Sequence, residues 1–129
     1  GVRFEGPVDR VVVPGAEGDF GVLPGHERFL SPVRIGELQL ETPGSNGNWA
    51  AVSDGFAEVS GDKVVLMVDS CEFATDIDAA RAERARARAA SELELLKARK
   101  NDESMFRMEE AALHRALIRL QVAAKHRSI

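Results

Sequence analysis

The chain changes its hydrophobic pattern near residue 70, and this change limits the folds open to it. Residues 2 to about 70 carry short β-branched or apolar runs separated by glycines, which is typical of strands joined by tight turns. From residue 75 to about 126, apolar residues recur at steps of three and four, which is typical of helices. We therefore predict an all-β N-terminal sandwich or flattened barrel, residues 1–72, followed by a C-terminal antiparallel α-helical hairpin, residues 73–129.

The N-terminal half contains five runs that we interpret as strands. Glycine, asparagine and aspartate lie between them, where turns need a positive φ or a tight bend. Two segments, Gly44–Gly47 and Ser60–Lys63, have the composition of hairpin turns. The predicted strands are Val11–Val13, Val33–Leu40, Trp49–Val52, Phe56–Val59 and Val64–Val68.

Two amphipathic patterns in the C-terminal half predict the helices. Thr75, followed three residues later by Asp78, has the form of a capping box, which satisfies the first N–H groups of a helix. The polar pair Asn101-Asp102 indicates a turn and the next N-cap. The first apolar stripe comprises Ala82, Ala85, Ala89, Leu93 and Leu96, and the second comprises Phe106, Leu113, Leu117, Leu120 and Ala124.

Alanine dominates the first stripe, and this affects how firmly the hairpin is held. A contact between alanines buries little area, at roughly 25 cal/mol per Å². We therefore expect a weakly packed, mobile helical hairpin beside a firm β half.

Composition places the chain among soluble globular proteins and disfavours several classes of function. Of its 129 residues, 44% are hydrophobic and 29% charged. A net charge of −4, the lack of tyrosine and a single tryptophan disfavour nucleic acid as a partner. No apolar run approaches the roughly 18–20 residues that span a bilayer, and no signal peptide is recognisable before the first strand.

The single cysteine and the three histidines predict neither a nucleophile nor a metal site. Cys71 has no partner for an internal disulfide, and we expect a small buried apolar side chain in a reducing compartment. His26, His114 and His126 lack the spacing of metal ligands and have no cysteine or carboxylate cluster beside them. Since no catalytic set of residues is recognisable, we expect a protein that is not an enzyme.

Arginines at matched spacing on the two helices are the candidate binding residues. Arg81 and Arg88 lie two helical turns apart, and Arg115 and Arg119 lie one turn apart, so each pair shares a helix face. In an antiparallel hairpin these guanidinium groups can converge on a triphosphate without a glycine-rich phosphate loop or a metal. The alternative is ordinary surface charge, because the first helix is rich in arginine and Glu92 follows Arg88 by four residues.

Motifs from both halves together resemble a known family. The segment Pro14–His26 has the form G-x-x-G-x-x-G-hydrophobic-x-P-G-H, and Gly55–Val59 and the Ile-Asp-x-x-Arg-Ala stretch Ile77–Ala82 follow it. In this order, before a helical hairpin, they resemble the epsilon subunit of F-type ATP synthases over essentially the whole chain. In that family another strand of about a dozen residues usually precedes the position of Phe4, and a sheet without it would expose an edge.

The resemblance implies a non-catalytic subunit in the central stalk of a proton-translocating ATP synthase. Its sandwich would contact the gamma subunit and the c-ring and help couple proton-driven rotation to ATP synthesis from ADP. Its hairpin would fold back on the sandwich or extend along gamma toward the catalytic beta and alpha subunits, where it inhibits ATP hydrolysis. A bacterial member would lie on the cytoplasmic face of the inner membrane as a peripheral protein, attached only through the complex.

The resemblance also implies functional residues. Asp19 and His26 would lie at the interface with gamma and the c-ring, although each can also be an ordinary turn or loop residue. ATP would be a regulatory ligand rather than a required cofactor, with acidic and Ile-Asp positions at its adenine end and arginines at its ribose and phosphates. The implied ATP-binding residues are Glu72, Ile77, Asp78, Arg81, Ala82, Arg88, Arg115 and Arg119.

Bound ATP would favour the folded hairpin, because only that state brings the two arginine pairs together. The alternative function is a free-standing ATP-responsive sensor that acts outside any rotary complex. A stable complex with gamma would separate the two hypotheses. An enzyme with an unrecognised site would instead show turnover by the isolated chain.

Overall fold

The computed structural model describes residues 10–22, 26–42, 45–61, 63–99 and 102–127. Within these ranges a β half is followed by a 3-10 turn, Ala74–Asp76, and two helices, α1 at Ala79–Arg99 and α2 at Glu103–Arg127. The region before Phe4, where the family has its additional strand, lies outside the described residues. The strands are β1 Arg10–Gly15, β2 Gly18–Val22, β3 His26–Val33, β4 Gly36–Thr42, β5 Ser45–Val52, β6 Gly55–Gly61, β7 Lys63–Val68 and β8 Cys71–Phe73.

The strands form one curled antiparallel sheet in the order β7-β6-β3-β1-β4-β5-β8, with β2 paired to β1. Alternate residues of these strands point inward, and a cluster of buried valines, leucines and alanines fills the space that they enclose. Val13 and Val59 are fully buried at its centre. The predicted β sandwich followed by a helical hairpin is confirmed.

One predicted strand, Val33–Leu40, is in fact the end of one strand and most of another. β3 ends at Val33 and β4 begins at Gly36, and the two strands lie on opposite sides of β1. The Arg34 N–H donates to the Pro14 carbonyl at 2.9 Å, which fixes the corner between them. Apolar and polar residues alternate through much of this run, and Gly36 is its one turn-type residue, so its pattern does not reveal the corner.

Of the two predicted hairpin turns, one is confirmed and one is displaced. Ser60 lies opposite Lys63 where β6 turns into β7, as predicted. The other turn was expected at Gly44–Gly47, but β5 already begins at Ser45, which lies opposite Thr42. Residues 43 and 44 lie outside the described part of the chain.

The start of α1 differs from the predicted capping box. Thr75 lies in the 3-10 turn, and the cap is Asp78, whose Oδ1 accepts a hydrogen bond from the Arg81 N–H at 3.0 Å. At α2 the predicted cap is confirmed for Asp102, whose Oδ1 accepts from the Met105 N–H at 2.9 Å. The first helix is displaced because the chain needs the intervening turn to leave β8.

The helices pack against each other through small side chains. Ala82, Ala89 and Leu93 of the predicted first stripe are buried. The predicted second stripe is only partly right, since Leu117 is exposed. The buried residues of α2 are instead Ala116, Ile118, Val122 and Ala123.

The difference on α2 has a physical cause. This helix contacts α1 on one side and the 3-10 turn, β4 and β5 on another, so it buries two faces instead of one stripe. Ile118 and Val122 belong to a second core cluster together with Ala51 and Ala74. Because α2 contacts the sheet in this way, the division of the chain into two domains stays a prediction.

Candidate functional site

A cleft of about 470 Å³ lies between the helical hairpin and the edge of the sheet formed by β5 and β8. Its volume is in the range of small-molecule sites, which span roughly 300–1,000 Å³. Ala85 and Ala112 contribute small side chains from the two helices, and Ile35 and Ile118 contribute apolar surface. The charged residues that line it are Glu72, Arg81, Arg115 and Arg119.

Glu72 and Arg119 form a bidentate pair across the cleft. Arg119 Nε donates to Glu72 Oε1 at 2.7 Å, and its Nη2 donates to Oε2 at 3.2 Å. The two residues are 47 positions apart, so the pair links β8 directly to α2. Both side chains are partly buried, which makes the pair stronger than one in open solvent.

Arg81 and Arg115 supply the remaining positive charge of the cleft. Both residues are exposed, and neither forms an ion pair within the part of the chain that the structure describes. With Arg119 they place three guanidinium groups, from both helices, around a space that holds one carboxylate. The excess positive charge suits a polyanion, whose oxygens can accept hydrogen bonds from several arginines.

Four of the residues implied by the family do not line this cleft. Ile77 packs against the second core cluster, and Ala82 is buried between the helices. Asp78 caps α1, and Arg88 is exposed beyond the cleft. The structure thus groups half of the predicted set, and the assignment of all eight residues to ATP stays a prediction.

Not every arginine of α1 belongs to the cleft. Arg86 is hydrogen bonded to Glu83 one turn earlier. This hydrogen bond lowers the pKa of the Glu83 carboxyl. The contact of Arg86 with Glu83 is therefore an ordinary ion pair on the helix surface.

Three cleft residues were not found from the sequence. Ser53 is buried, and its Oγ accepts a hydrogen bond from the Ser70 N–H at 2.7 Å, which fixes the backbone that leads into β8. Cys71 lies beside them and is exposed, so the expectation of a buried side chain is wrong. Cys71 is exposed because β8 is an edge strand next to the cleft. Its thiol is still partly buried, and this burial raises the pKa of the thiol. No spacing pattern marks these residues.

The two predicted interface residues lie on consecutive strands of the β half, β2 and β3. Asp19 is exposed on β2, opposite Pro14, and forms an ion pair with Arg34. His26 begins β3 and lies opposite Gly61. The structure therefore gives Asp19 an internal partner, and a contact of either residue with another subunit stays a prediction.

Four exposed apolar side chains lie on the outer side of β3, β6 and β7. Phe56 lies directly opposite Met67, and their exposed fractions are 49% and 50%. Leu30 and Val65 flank Glu58 on the same side and are also exposed. We call Leu30, Phe56, Val65 and Met67 the outer apolar strip, and an apolar strip of this kind is typical of a protein interface.

Two further tests concern metal ions and membranes. In the described residues, no group of three histidine, cysteine or carboxylate side chains is arranged to hold a metal ion. None of the helices described is both long and apolar enough to cross a bilayer.

Comparisons with known proteins bear on both halves of the chain. Residues 1–74 match the family described as ATP synthase, Delta/Epsilon chain, beta-sandwich domain. The ATP synthase epsilon chain of Geotalea uraniireducens is 47% identical over 118 residues, which cover 92% of this chain and 83% of that relative. The ATP synthase epsilon chain of Geobacter sulfurreducens is 44% identical over the same shares of the two chains.

A solved structure shares the arrangement of strands and helices. It is a chain of the Euglena gracilis mitochondrial ATP synthase, determined by cryo-EM with OSCP, F1 and the c-ring, and it matches with a TM-score of 0.74 at 26% identity. The match covers 92% of this chain and 71% of that chain, so it includes the hairpin as well as the sandwich. The chain therefore belongs to the family of ATP synthase epsilon chains.

Proposed function

We propose that the chain is a regulatory, non-catalytic subunit in the central stalk of a bacterial F-type ATP synthase. Its β half would bind gamma and the c-ring and help couple proton-driven rotation to ATP synthesis. Its hairpin would inhibit ATP hydrolysis by the catalytic beta and alpha subunits when it extends. The bacterial relatives support a peripheral position on the cytoplasmic face of the inner membrane.

The cleft carries the proposal that the hairpin binds ATP. Arg81 comes from α1 and Arg115 and Arg119 from α2, and they line the cleft together only while the helices lie side by side on the sheet. A triphosphate with several negative charges would bind all three. ATP would therefore stabilise the folded hairpin through its differential affinity for that state.

The pair between Glu72 and Arg119 sets a condition on binding. Arg119 already donates two hydrogen bonds to Glu72, so a phosphate that engages Arg119 must share or replace them. Arg115 has no such ion pair among the described residues and is free to meet the ligand directly. A substitution of Arg115 therefore tests binding without breaking the ion pair between Glu72 and Arg119.

Isothermal titration with ATP tests this proposal. We expect the wild-type chain to bind ATP and Arg115→Ala to bind it about tenfold or more weakly, because a hydrogen bond to a charged group contributes about 1.5–3 kcal/mol. Arg84→Ala is the matched control, since Arg84 is an exposed arginine of α1 outside the lining of the cleft. If Arg115→Ala binds ATP as well as the wild type does, the site is misplaced.

The rival function is a free-standing ATP sensor, and the outer apolar strip is the observation that favours the rotor subunit. A protein that acts alone has no use for Phe56 and Met67 side by side on an open sheet face. Coexpression with gamma separates the two, because a sensor would not form a stable complex with it.

A further inference from the structure

The C-terminal end of α2 is anchored to the sheet by a polar contact that lies outside the cleft. Lys125 Nζ donates to Glu37 Oε2 at 2.5 Å and lies 3.7 Å from the centre of the Trp49 ring. Glu37 is on β4, and Trp49 is on the neighbouring strand β5. Trp49 lies opposite Gln39, two residues after Glu37, so the side chains of Glu37 and Trp49 are on the same side of the sheet. One ammonium group therefore binds a carboxylate and an aromatic face together.

This contact exists only while the hairpin is docked. Lys125 and Glu37 are 88 positions apart, on α2 and β4, so the contact forms only when the end of α2 lies on the sheet. The side chains of Lys125 and Glu37 are 37% and 22% exposed, so the charges are partly shielded from solvent. Glu37 Oε1 is buried and has no hydrogen-bond partner in the described structure, so this carboxylate depends strongly on Lys125.

The contact is separate from the residues that line the cleft. Lys125 is six residues beyond Arg119 on α2, and fully buried Val122 lies between them. None of Glu37, Trp49 and Lys125 lines the cleft. A substitution of Lys125 therefore removes none of the side chains that line the cleft.

We propose that Lys125, with Glu37 and Trp49, is a positioning contact that holds the hairpin against the sheet without a ligand and so sets the affinity of the cleft for a triphosphate. The part that concerns the triphosphate rests on the proposed function. A ligand that binds only the docked state has an apparent affinity reduced by the fraction of molecules that are undocked. The contact thus controls binding from a distance by controlling that fraction.

Two residues that occur once in the chain report on this proposal without added labels. Trp49 is the only tryptophan and senses the contact itself. Cys71 is the only cysteine and lies in the cleft under the hairpin. A local change beside Trp49 would alter its fluorescence alone. Undocking of the hairpin would also remove the partial burial that raises the pKa of the Cys71 thiol, and so speed its alkylation.

The test compares Lys125→Met, which keeps the length of the side chain but removes its charge, with Lys97→Met. Lys97 is exposed on α1, and its ion pair in the described part of the chain is with Glu94 one turn before it, so it is a matched control. In the absence of nucleotide, we expect Lys125→Met to raise both the quenching of Trp49 by acrylamide and the rate of Cys71 alkylation by iodoacetamide, about threefold to tenfold for the latter. Lys125→Arg should restore both values, because guanidinium also binds carboxylates and aromatic faces.

ATP titration then tests the second part. We expect Lys125→Met to bind ATP about threefold to tenfold more weakly than Lys97→Met. An unchanged Cys71 rate in folded Lys125→Met overturns the proposal, even if Trp49 fluorescence changes. If the wild type binds no ATP, the proposed function fails, while the Cys71 rate still decides whether Lys125 holds the hairpin.

Discussion

Substitutions can separate two roles of Asp78, the observed cap of α1 and the predicted contact with ATP. Its carboxylate accepts the Arg81 N–H at the first turn of α1, while the family resemblance assigns it to ATP. Asparagine caps a helix about as well as aspartate, whereas alanine costs about 1 kcal/mol. We expect Asp78→Ala to lower the free energy of unfolding by about that amount in urea titrations, and Asp78→Asn to leave it nearly unchanged.

The same two variants separate the roles in ATP binding. If the carboxylate contacts the ligand, Asp78→Asn weakens ATP binding at full stability. Asp76→Ala is the control, since Asp76 is an exposed acidic residue of the preceding 3-10 turn. Normal ATP binding by Asp78→Asn would mean that Asp78 caps the helix and does not contact the ligand.

Cys71 gives a second prediction at the scale of one side chain. Because partial burial raises the pKa of its thiol, the thiolate fraction is below that of a free cysteine at any pH up to the shifted pKa. We expect alkylation by iodoacetamide to be slow at pH 7 and to rise with pH to a midpoint above the ordinary cysteine value. ATP should slow the reaction in the wild type, and Arg115→Ala should need about tenfold or more ATP for the same slowing. Equal wild-type rates with and without ATP would contradict a ligand in this cleft.

At the scale of one element, Val122 tests how α2 is held on the sheet. It is fully buried in the second core cluster, between the hairpin and Ala51. Val122→Ala removes two methyl groups and leaves a small cavity, which should weaken docking by about 2 kcal/mol. Hydrogen exchange should then accelerate in α2 while β1 and β6 keep their protection, and equal acceleration in both halves would show that the hairpin and the sandwich unfold as one unit.

The strands and helices also show which features a sequence pattern can predict and which it cannot. β6 and β7 were predictable because alternation and turn residues are local signals. β2 was not, since Gly18–Val22 contains a single β-branched residue and is held by its pairing with β1. The faces of α2 were only partly predictable, because its contact with the sheet adds a second buried side.

The cleft, too, could be predicted only where its residues give a local sequence signal. The helical spacing of Arg115 and Arg119 is a local signal, and both residues line one cleft with Arg81. Arg88 lies two helical turns after Arg81 and shares a helix face with it, yet Arg88 does not line the cleft, because the helix runs past the cleft's edge. The contact between Lys125 and Glu37 joins residues 88 positions apart in the two halves of the chain, and no sequence spacing encodes it.

At the scale of the whole molecule, the outer apolar strip predicts where gamma binds. Phe56→Glu places a charge in the centre of the strip without touching the core, since Phe56 is about half exposed and its neighbour Ala57 points inward. We expect the affinity for gamma, measured with purified proteins, to fall about tenfold or more, which is the effect of losing an aromatic anchor. Leu95→Glu, a change at an equally exposed apolar residue of α1, should have little effect while the hairpin is docked.

The assembled ATP synthase tests whether the cleft regulates hydrolysis. If ATP stabilises the docked hairpin, inhibition should be strongest at low ATP and should be released as ATP fills the cleft. In a complex that carries Arg115→Ala, release should need about tenfold or more ATP, because the hairpin loses a hydrogen bond to the ligand. The rate of hydrolysis measured against ATP concentration gives both curves, and Arg84→Ala should follow the wild type. Coincident curves for Arg115→Ala and the wild type would mean that any inhibition by the hairpin does not depend on this cleft.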